Sequence, residues 1–226
     1  MRAFCMSVLF LLAAAMLLTG CSAHASADRA FSYMEEDFSA TVSGSVTRLA
    51  SDGYTGDAAL IGESLYDVSR PFEATVTVKT RVDAAGERFV SALSVTYTAP
   101  SSLRGVTVSY TSDGSARAGS ARVILTRAVA DRGSVREDRT ITVDLSATDP
   151  AVRDALLAPA GVLLPTGDIS AVSPATGGTY TVTRRDGDTE ATFEFTKGES
   201  LPTRVTWSSP ARRVEVTVGG VQAPEG

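Results

Sequence analysis

One thiol stands where an apolar run ends: Cys21, in Leu18-Thr19-Gly20-Cys21. A cysteine reacts through its thiolate, and this is the strongest nucleophile of its region. Thr19 and Gly20 are small and leave the backbone beside it open to a processing enzyme. Cys5, the other cysteine, lies inside the apolar leader and leaves with it. The chain beyond the leader therefore has no disulfide and no cysteine metal site. Other residues able to do chemistry are scattered. His24 is the single histidine and sits just past Cys21, where it cannot serve a catalytic triad or a zinc site inside a folded domain. Asp186 and Asp188 flank Gly187 in a stretch that reads as a tight turn, and turn geometry explains them. Glu35-Glu36-Asp37 is a small acidic cluster without partner ligands nearby, and it reads as a solvated lead-in to a strand. No G-x-S-x-G elbow, H-E-x-x-H helix or phosphate-binding glycine loop occurs. A pair of glycosidase carboxylates could lie far apart in the chain. Sugar sites want aromatic platforms, however, and aromatics are 7% of this sequence. The expectation is a non-enzyme with no catalytic residue, no metal and no cofactor.

Met1 to Gly20 reads as a secretory signal, with Arg2 as its positive start and Val8 to Leu18 as an apolar run. That run is shorter than the roughly 20 residues a membrane-spanning helix needs. With the sequence LTGC at its end, the leader resembles those of bacterial lipoprotein precursors. The resemblance implies diacylglycerol on the Cys21 thiol, cleavage before Cys21, and attachment to the extracytoplasmic side of a cell membrane. Each buried methylene contributes about 0.8 kcal/mol, so two or three acyl chains hold where one would not. An ordinary signal peptide with a chance cysteine at its end is the alternative.

Charge excludes one class of partner. Lys and Arg number 21 against 26 Asp and Glu, for a net charge of −5. Nucleic acid needs a clustered basic face, so no nucleic-acid partner is expected. A broad electrostatic grip on anionic lipid is excluded on the same ground, and membrane contact should come through the anchor.

The elements that must position any site are strands. Residues 21–37 read as a polar tether. From Phe38 the period is two: Phe38, Ala40, Val42, Gly44 and Val46 alternate with Ser and Thr. A break from Ser51 to Pro71 contains a short helix candidate at Ala58 to Val68. Alternation returns at Ala74-Val76-Val78, Phe89 to Tyr97, Val106-Val108-Tyr110, Arg122 to Arg127 and Thr140 to Leu145. It resumes at Tyr180-Val182, Ala191-Phe193-Phe195, Val205-Trp207 and Val214-Val216-Val218. Turns are expected at Asp83 to Glu87, Pro100 to Ser102, Ser112 to Gly114, Arg185 to Asp188 and Gly198 to Pro202. Nine or ten strands at hairpin spacing make an antiparallel sheet, and one that long must curl. The expected architecture is mainly β: a curved antiparallel sheet forming an incomplete barrel, with a short helix and loop covering the concave face. One domain from 38 to 220 and a tail from 221 to 226 complete the division.

One segment breaks the period, Asp149 to Ile169, DPAVRDALLAPAGVLLPTGDI. Thr148 or Asp149 can cap a helix and Pro150 suits its first position. Val152, Leu156 and Leu157 share a helical face, Pro159 is expected to end the helix, and Val162-Leu163-Leu164 adds a second apolar patch. Set against the sheet, the segment either plugs the core or forms a lid of Leu156, Leu157, Leu163 and Leu164 over a cavity. If a cavity exists, its walls come from inward strand positions: Val76, Val78, Leu93, Val95, Tyr97, Ile141, Val143, Phe193, Phe195 and Trp207. The same residues would equally serve a filled core.

The stretches FSATVSGSV, VTYTAPSSLRGVTVSY, LLAPAGVLLPTGDI and RRDGDTEATFEFTKGESLPTRVTW together resemble the outer-membrane lipoprotein carrier superfamily, the LolA/LolB-like half-barrels, and more closely their lipid-anchored relatives. The resemblance implies a half-barrel around a hydrophobic cavity that binds lipid or acyl chains without catalysis. Carriers begin with a long helix, which here is replaced by a tether, and Gly114 is not followed by their aromatic strand. Three functions stay open: a membrane-anchored holder of a lipid or acyl chain, an interaction or sensing module with an envelope protein partner, and a structural lipoprotein with a filled core.

Overall fold

The computed structural model describes residues 27, 29–48, 71–112, 121–129, 139–145, 150–173, 177–210 and 212–222. Strands β1 (Phe38–Arg48), β2 (Pro71–Val82), β3 (Arg88–Ala99), β4 (Val106–Ser112), β5 (Ala121–Val129) and β6 (Arg139–Asp144) are followed by helix α1 (Pro150–Gly161). Then come β7 (Asp168–Val172), β8 (Thr179–Asp186), β9 (Thr189–Thr196), β10 (Arg204–Ser208) and β11 (Arg212–Gln222). All eleven strands form one antiparallel sheet in the order β6-β5-β4-β3-β2-β1-β11-β10-β9-β8-β7. The sheet does not close, because β6 and β7 lie at opposite edges.

Side chains alternate between the two faces of a strand, so the period-two pattern sorts them. Phe72, Ala74, Val76 and Val78 of β2 go inward, as do Leu93, Val95 and Tyr97 of β3, Ala191, Phe193 and Phe195 of β9, and Val214 and Val216 of β11. The outer face carries rows of hydroxyls paired across strands, including Thr96 with Thr107 at 3.0 Å and Thr183 with Thr192 at 3.2 Å. Such pairs add register specificity to the ladder. Turn chemistry agrees with the sequence. Asp83 Oδ1 accepts from the Ala85 and Glu87 N–H groups at 2.9 and 2.8 Å. Gly187 takes φ +57° in the two-residue loop between Asp186 and Thr189, a conformation that favours glycine.

Topology dictates where the helix must lie. β1 to β6 run outward from the centre to one edge; β7 starts at the other edge and the chain returns to the centre, where β11 pairs with β1. The connection from β6 to β7 therefore has to cross the whole face. Eleven strands spaced about 4.8 Å apart would hold the two edges about 48 Å apart if flat. A 12-residue helix supplies only about 18 Å of that span. Curling the sheet shortens the path and wraps the apolar face around the connection. α1 accordingly packs on β2 and β3, and Leu156, Ala160, Val162 and Leu163 join the core.

Four features differ from the sequence expectations. The strands number eleven, because Asp168–Val172 pairs with β8 as an edge strand inside what reads as the end of the apolar interruption. Pro159 does not end the helix, which continues to Gly161. The Pro159 nitrogen has no hydrogen to donate, but the last turn recovers through Val162 N–H to Ala158 O at 3.1 Å and a tighter Leu163 N–H to Ala160 O at 3.0 Å. Val143, expected on the inner wall, is 44% exposed. It lies opposite Leu125 on β6, an edge strand with one neighbour. Residues 29–37, expected as part of a solvated tether, carry two buried rings. Phe31 meets Phe193 and Phe195 edge-on at 5.1 and 5.5 Å, and Tyr33 meets Phe38 at 5.5 Å. Polar residues around Phe31 and Tyr33 mask these anchors in the sequence; the rings pack because an open half-barrel offers them an aromatic surface. No helix among the described residues is long and apolar enough to cross a membrane.

Candidate functional site

The crossing segment is held by its carbonyls. Tyr97 of β3 donates its hydroxyl to Leu156 O at 2.8 Å, and Tyr33 donates to Leu163 O at 2.5 Å. Both phenols are pushed well above the ordinary tyrosine range by burial; at Tyr33 the nearby charge of Arg184 offsets part of that rise. Each buried phenol thus stays protonated as a donor, Tyr97 to a carbonyl in the middle of α1 and Tyr33 to one just past its end. Arg184 of β8 donates to Gly167 O through Nε at 2.9 Å and Nη2 at 2.5 Å, with its guanidinium 5.0 Å from the Phe31 ring centre. Gly167 has φ +72°, and a Cβ there would meet Arg185 O at 2.2 Å, so glycine alone lets the chain turn so closely into β7.

Two sides of the segment behave differently. Toward β2 and β3 it fills the core: Leu156 and Leu163 are fully buried, and Val76, Val78 and Val95 beneath are likewise inaccessible. Toward β9, β10 and β11 it stands off, leaving a cavity of about 220 Å³. Ala158, Gly161, Val162, Leu164, Pro165 and Thr166 form its roof. Its floor is Ala191 and Phe193 of β9, Trp207 of β10, and Arg212 and Val214 of β11. Apart from Thr166 and Arg212 the wall is apolar, so what it holds best is a hydrocarbon.

Of the wall positions read from alternation, Phe193 and Trp207 line this cavity. Val76, Val78, Leu93, Val95, Tyr97 and Phe195 belong to the packed core, and Val143 is exposed. Of the roof candidates, Leu164 lines the cavity, Leu156 and Leu163 plug the core, and Leu157 is half-buried against it. Alternation alone could have found Val214 and Ala191. Arg212 was findable too, since it shares the inward parity of Val214 and Val216. Cys21, His24, the helix candidate at 58–68, the Ser112 to Gly114 turn beyond Ser112, and the side chains of Ile141 and Val152 lie outside the described residues. Asp186 and Asp188 are exposed in their turn, and no group of three or more His, Cys, Asp or Glu that could hold a metal occurs among the described residues.

No protein-family model matches the chain, and no curated protein matches it. Among solved structures, a DUF1329 family protein from Desulfovibrio piger is similar over 87% of this chain and 91% of its own, with a TM-score of 0.39 and 7% identity. A putative outer membrane lipoprotein-sorting protein domain from Vibrio parahaemolyticus is similar over 84% and 86%, with a TM-score of 0.33 and 8% identity. Likenesses at these scores carry no argument about function.

Proposed function

We propose that this chain is a membrane-anchored, non-catalytic lipoprotein that holds a lipid or acyl chain between the crossing segment and strands β9 to β11. On this reading residues 1–20 are the removed signal, Cys21 carries the lipid, the residues after it connect the anchor to the sheet, and one half-barrel domain on the extracytoplasmic side extends from the packed rings of Phe31 and Tyr33 to the end of β11 at Gln222.

The observation that supports it best is the apolar cavity of about 220 Å³. A well-packed interior leaves few voids larger than a water molecule. An engineered apolar cavity of about 150 Å³ already binds benzene, while drug-sized ligands occupy about 300–1,000 Å³. The volume therefore suits part of one acyl chain rather than a whole multi-chain lipid. The LolA/LolB-like sequence resemblance points the same way. The dense packing around Val76, Val78 and Val95 favours a second reading, an envelope interaction or structural lipoprotein with a core filled by its own side chains.

Native mass spectrometry of the protein purified from a bacterium decides between them. A discrete added mass, released by organic solvent as lipid and separate from the covalent mass on Cys21, is the expected result. A bare polypeptide mass that incubation with membrane lipids leaves unchanged would overturn the ligand reading.

A further inference from the structure

Resting on that ligand reading, we infer that the site takes one long alkyl chain: its first part fills the cavity against Trp207, and its remainder crosses Phe193 into the seat that Phe31 occupies, displacing residues 29–36.

A cavity of about 220 Å³ holds only part of an acyl chain, and the walls set where the rest can go. Phe193 borders two compartments: it floors the cavity and meets Phe31 edge-on at 5.1 Å. The roof is shared as well. Leu164 and Thr166 line the cavity. On either side of them, Leu163 O accepts from the Tyr33 hydroxyl at 2.5 Å, and Gly167 O accepts from Arg184 Nε at 2.9 Å. The Arg184 guanidinium stands 5.0 Å from the Phe31 ring centre. Beyond Phe193 the seat continues over Phe195, 5.5 Å from Phe31, on which Tyr180 stacks at 5.4 Å. An alkyl chain covers such a row of rings as a phenyl group does, because burial of apolar surface is non-directional.

The segment that fills this seat is separable from the sheet. Its backbone hydrogen bonds among the described residues stay within it: Met34 N–H to Phe31 O at 3.0 Å and Glu36 N–H to Tyr33 O at 3.3 Å. Strand pairing starts only at Phe38, and Asp37 Oδ1 fixes that boundary by accepting from the Thr80 N–H at 2.7 Å. Before Asp37 the segment is held by the two rings, by the Tyr33 hydroxyl on Leu163 O and by Arg88 on Glu35 O. A segment attached mainly by side chains opens locally while the ladder behind it stays paired. A hydrocarbon that takes the place of Phe31 covers the same rings and so offsets most of the apolar exposure that displacement causes.

The full chain, held in the steroid detergent digitonin at one fixed concentration, is titrated with octanol and with hexadecanol. Emission of Trp207, the single tryptophan and part of the cavity wall, reports occupancy, and amide hydrogen exchange over residues 31–37 reports the segment. Both alcohols should shift Trp207. Saturating hexadecanol should speed exchange at Met34 and Glu36 about tenfold, and octanol should leave it unchanged. In Phe31→Ala the seat is already open, so hexadecanol should half-saturate at a concentration about tenfold below that of the parent, with octanol unchanged. Comparing variant with parent cancels the partition of each alcohol into detergent. Hexadecanol binding with exchange at Met34 and Glu36 unchanged would overturn the inference and leave the ligand reading intact. Binding of octanol alone, or a folded Phe31→Ala that binds hexadecanol no tighter than the parent, would do the same. If Phe31→Ala does not fold, the exchange comparison on the parent decides. Silence of Trp207 toward both alcohols, with no alcohol adduct in the native mass spectrum, would instead remove the ligand reading, and this inference with it.

Discussion

Leu163 and Leu164 are adjacent in the chain and face different surroundings. Leu163 is fully buried with its carbonyl held by Tyr33; Leu164 is half-buried and lines the cavity. On the ligand reading, the two positions therefore separate core packing from ligand holding. Leu163→Asp places an unpaired carboxylate in the core, at a cost of several kcal/mol, comparable with the whole stability of a domain this size. It should lose the β-sheet circular-dichroism signal at 25 °C. Leu164→Asp can turn its carboxylate toward the cavity mouth and should fold with a modest loss of melting temperature. The lipid adduct that the ligand reading expects of the parent should nonetheless be missing from its native mass spectrum. A folded Leu163→Asp with near-parent stability would show that the segment is not a plug.

At the scale of the element, α1 is a helix that its sequence alone would not sustain. Twelve residues are marginal in water, and this helix contains Pro159 and ends at Gly161. Its hold comes from burial of Leu156 and Ala160 and from the phenol clamps of Tyr97 and Tyr33. Tyr97→Phe should cost about 1–2 kcal/mol, read from urea midpoints, because it removes one buried hydrogen bond and leaves Leu156 O with one partner fewer. Burial of the two phenols also sets a pH dependence. Burial raises both phenol pKa values in the folded state, while the unfolded phenols titrate near the ordinary value of about 10. The unfolded state therefore releases protons first. Stability from this source is fully present below pH 10 and is lost as pH rises beyond it. The urea midpoint should fall above pH 10, and the fall should be shallower in Tyr97→Phe. A parent and variant with identical alkaline slopes would contradict the burial of the Tyr97 phenol.

For the whole molecule, the open sheet implies a gradient of local stability. β1, β2 and β11 are central and paired on both sides, whereas β6 and β7 each have one neighbouring strand. Amide hydrogen exchange should be slowest at Val42, Val76 and Val216 and fastest in Arg139–Asp144 and Asp168–Val172. Equal protection at the edges would mean that something covers them. The anchor reading belongs to this scale as well. Cys21→Ser should move the protein from the membrane fraction to the soluble fraction of its host, read by blotting after carbonate extraction; retention in the membrane would remove the lipid on Cys21 as the anchor.

Several of these properties were legible in the residues alone. The alternation from Phe38 onward, the Asp83 to Glu87 and Gly187 turns, the inward parity of Phe193 and Val214, and the apolar interruption at Asp149 to Ile169 all rest on short-range rules. A strand's period of two needs no partner to be recognised. What covers each inward side chain is another matter, because parity tells in from out and nothing more. Val95 and Val143 share that inward alternation, yet one lies under α1 and the other is 44% exposed, because β3 is interior and β6 is an edge. Phe31 and Tyr33 sit in a polar stretch without period, and their burial depends on an aromatic surface assembled from distant strands. The division of the concave face into a plugged half and a hollow half was decided by tertiary structure alone. It depends on sheet order, which forces one short connection to run from edge to edge, and that connection is too narrow to fill everything it crosses.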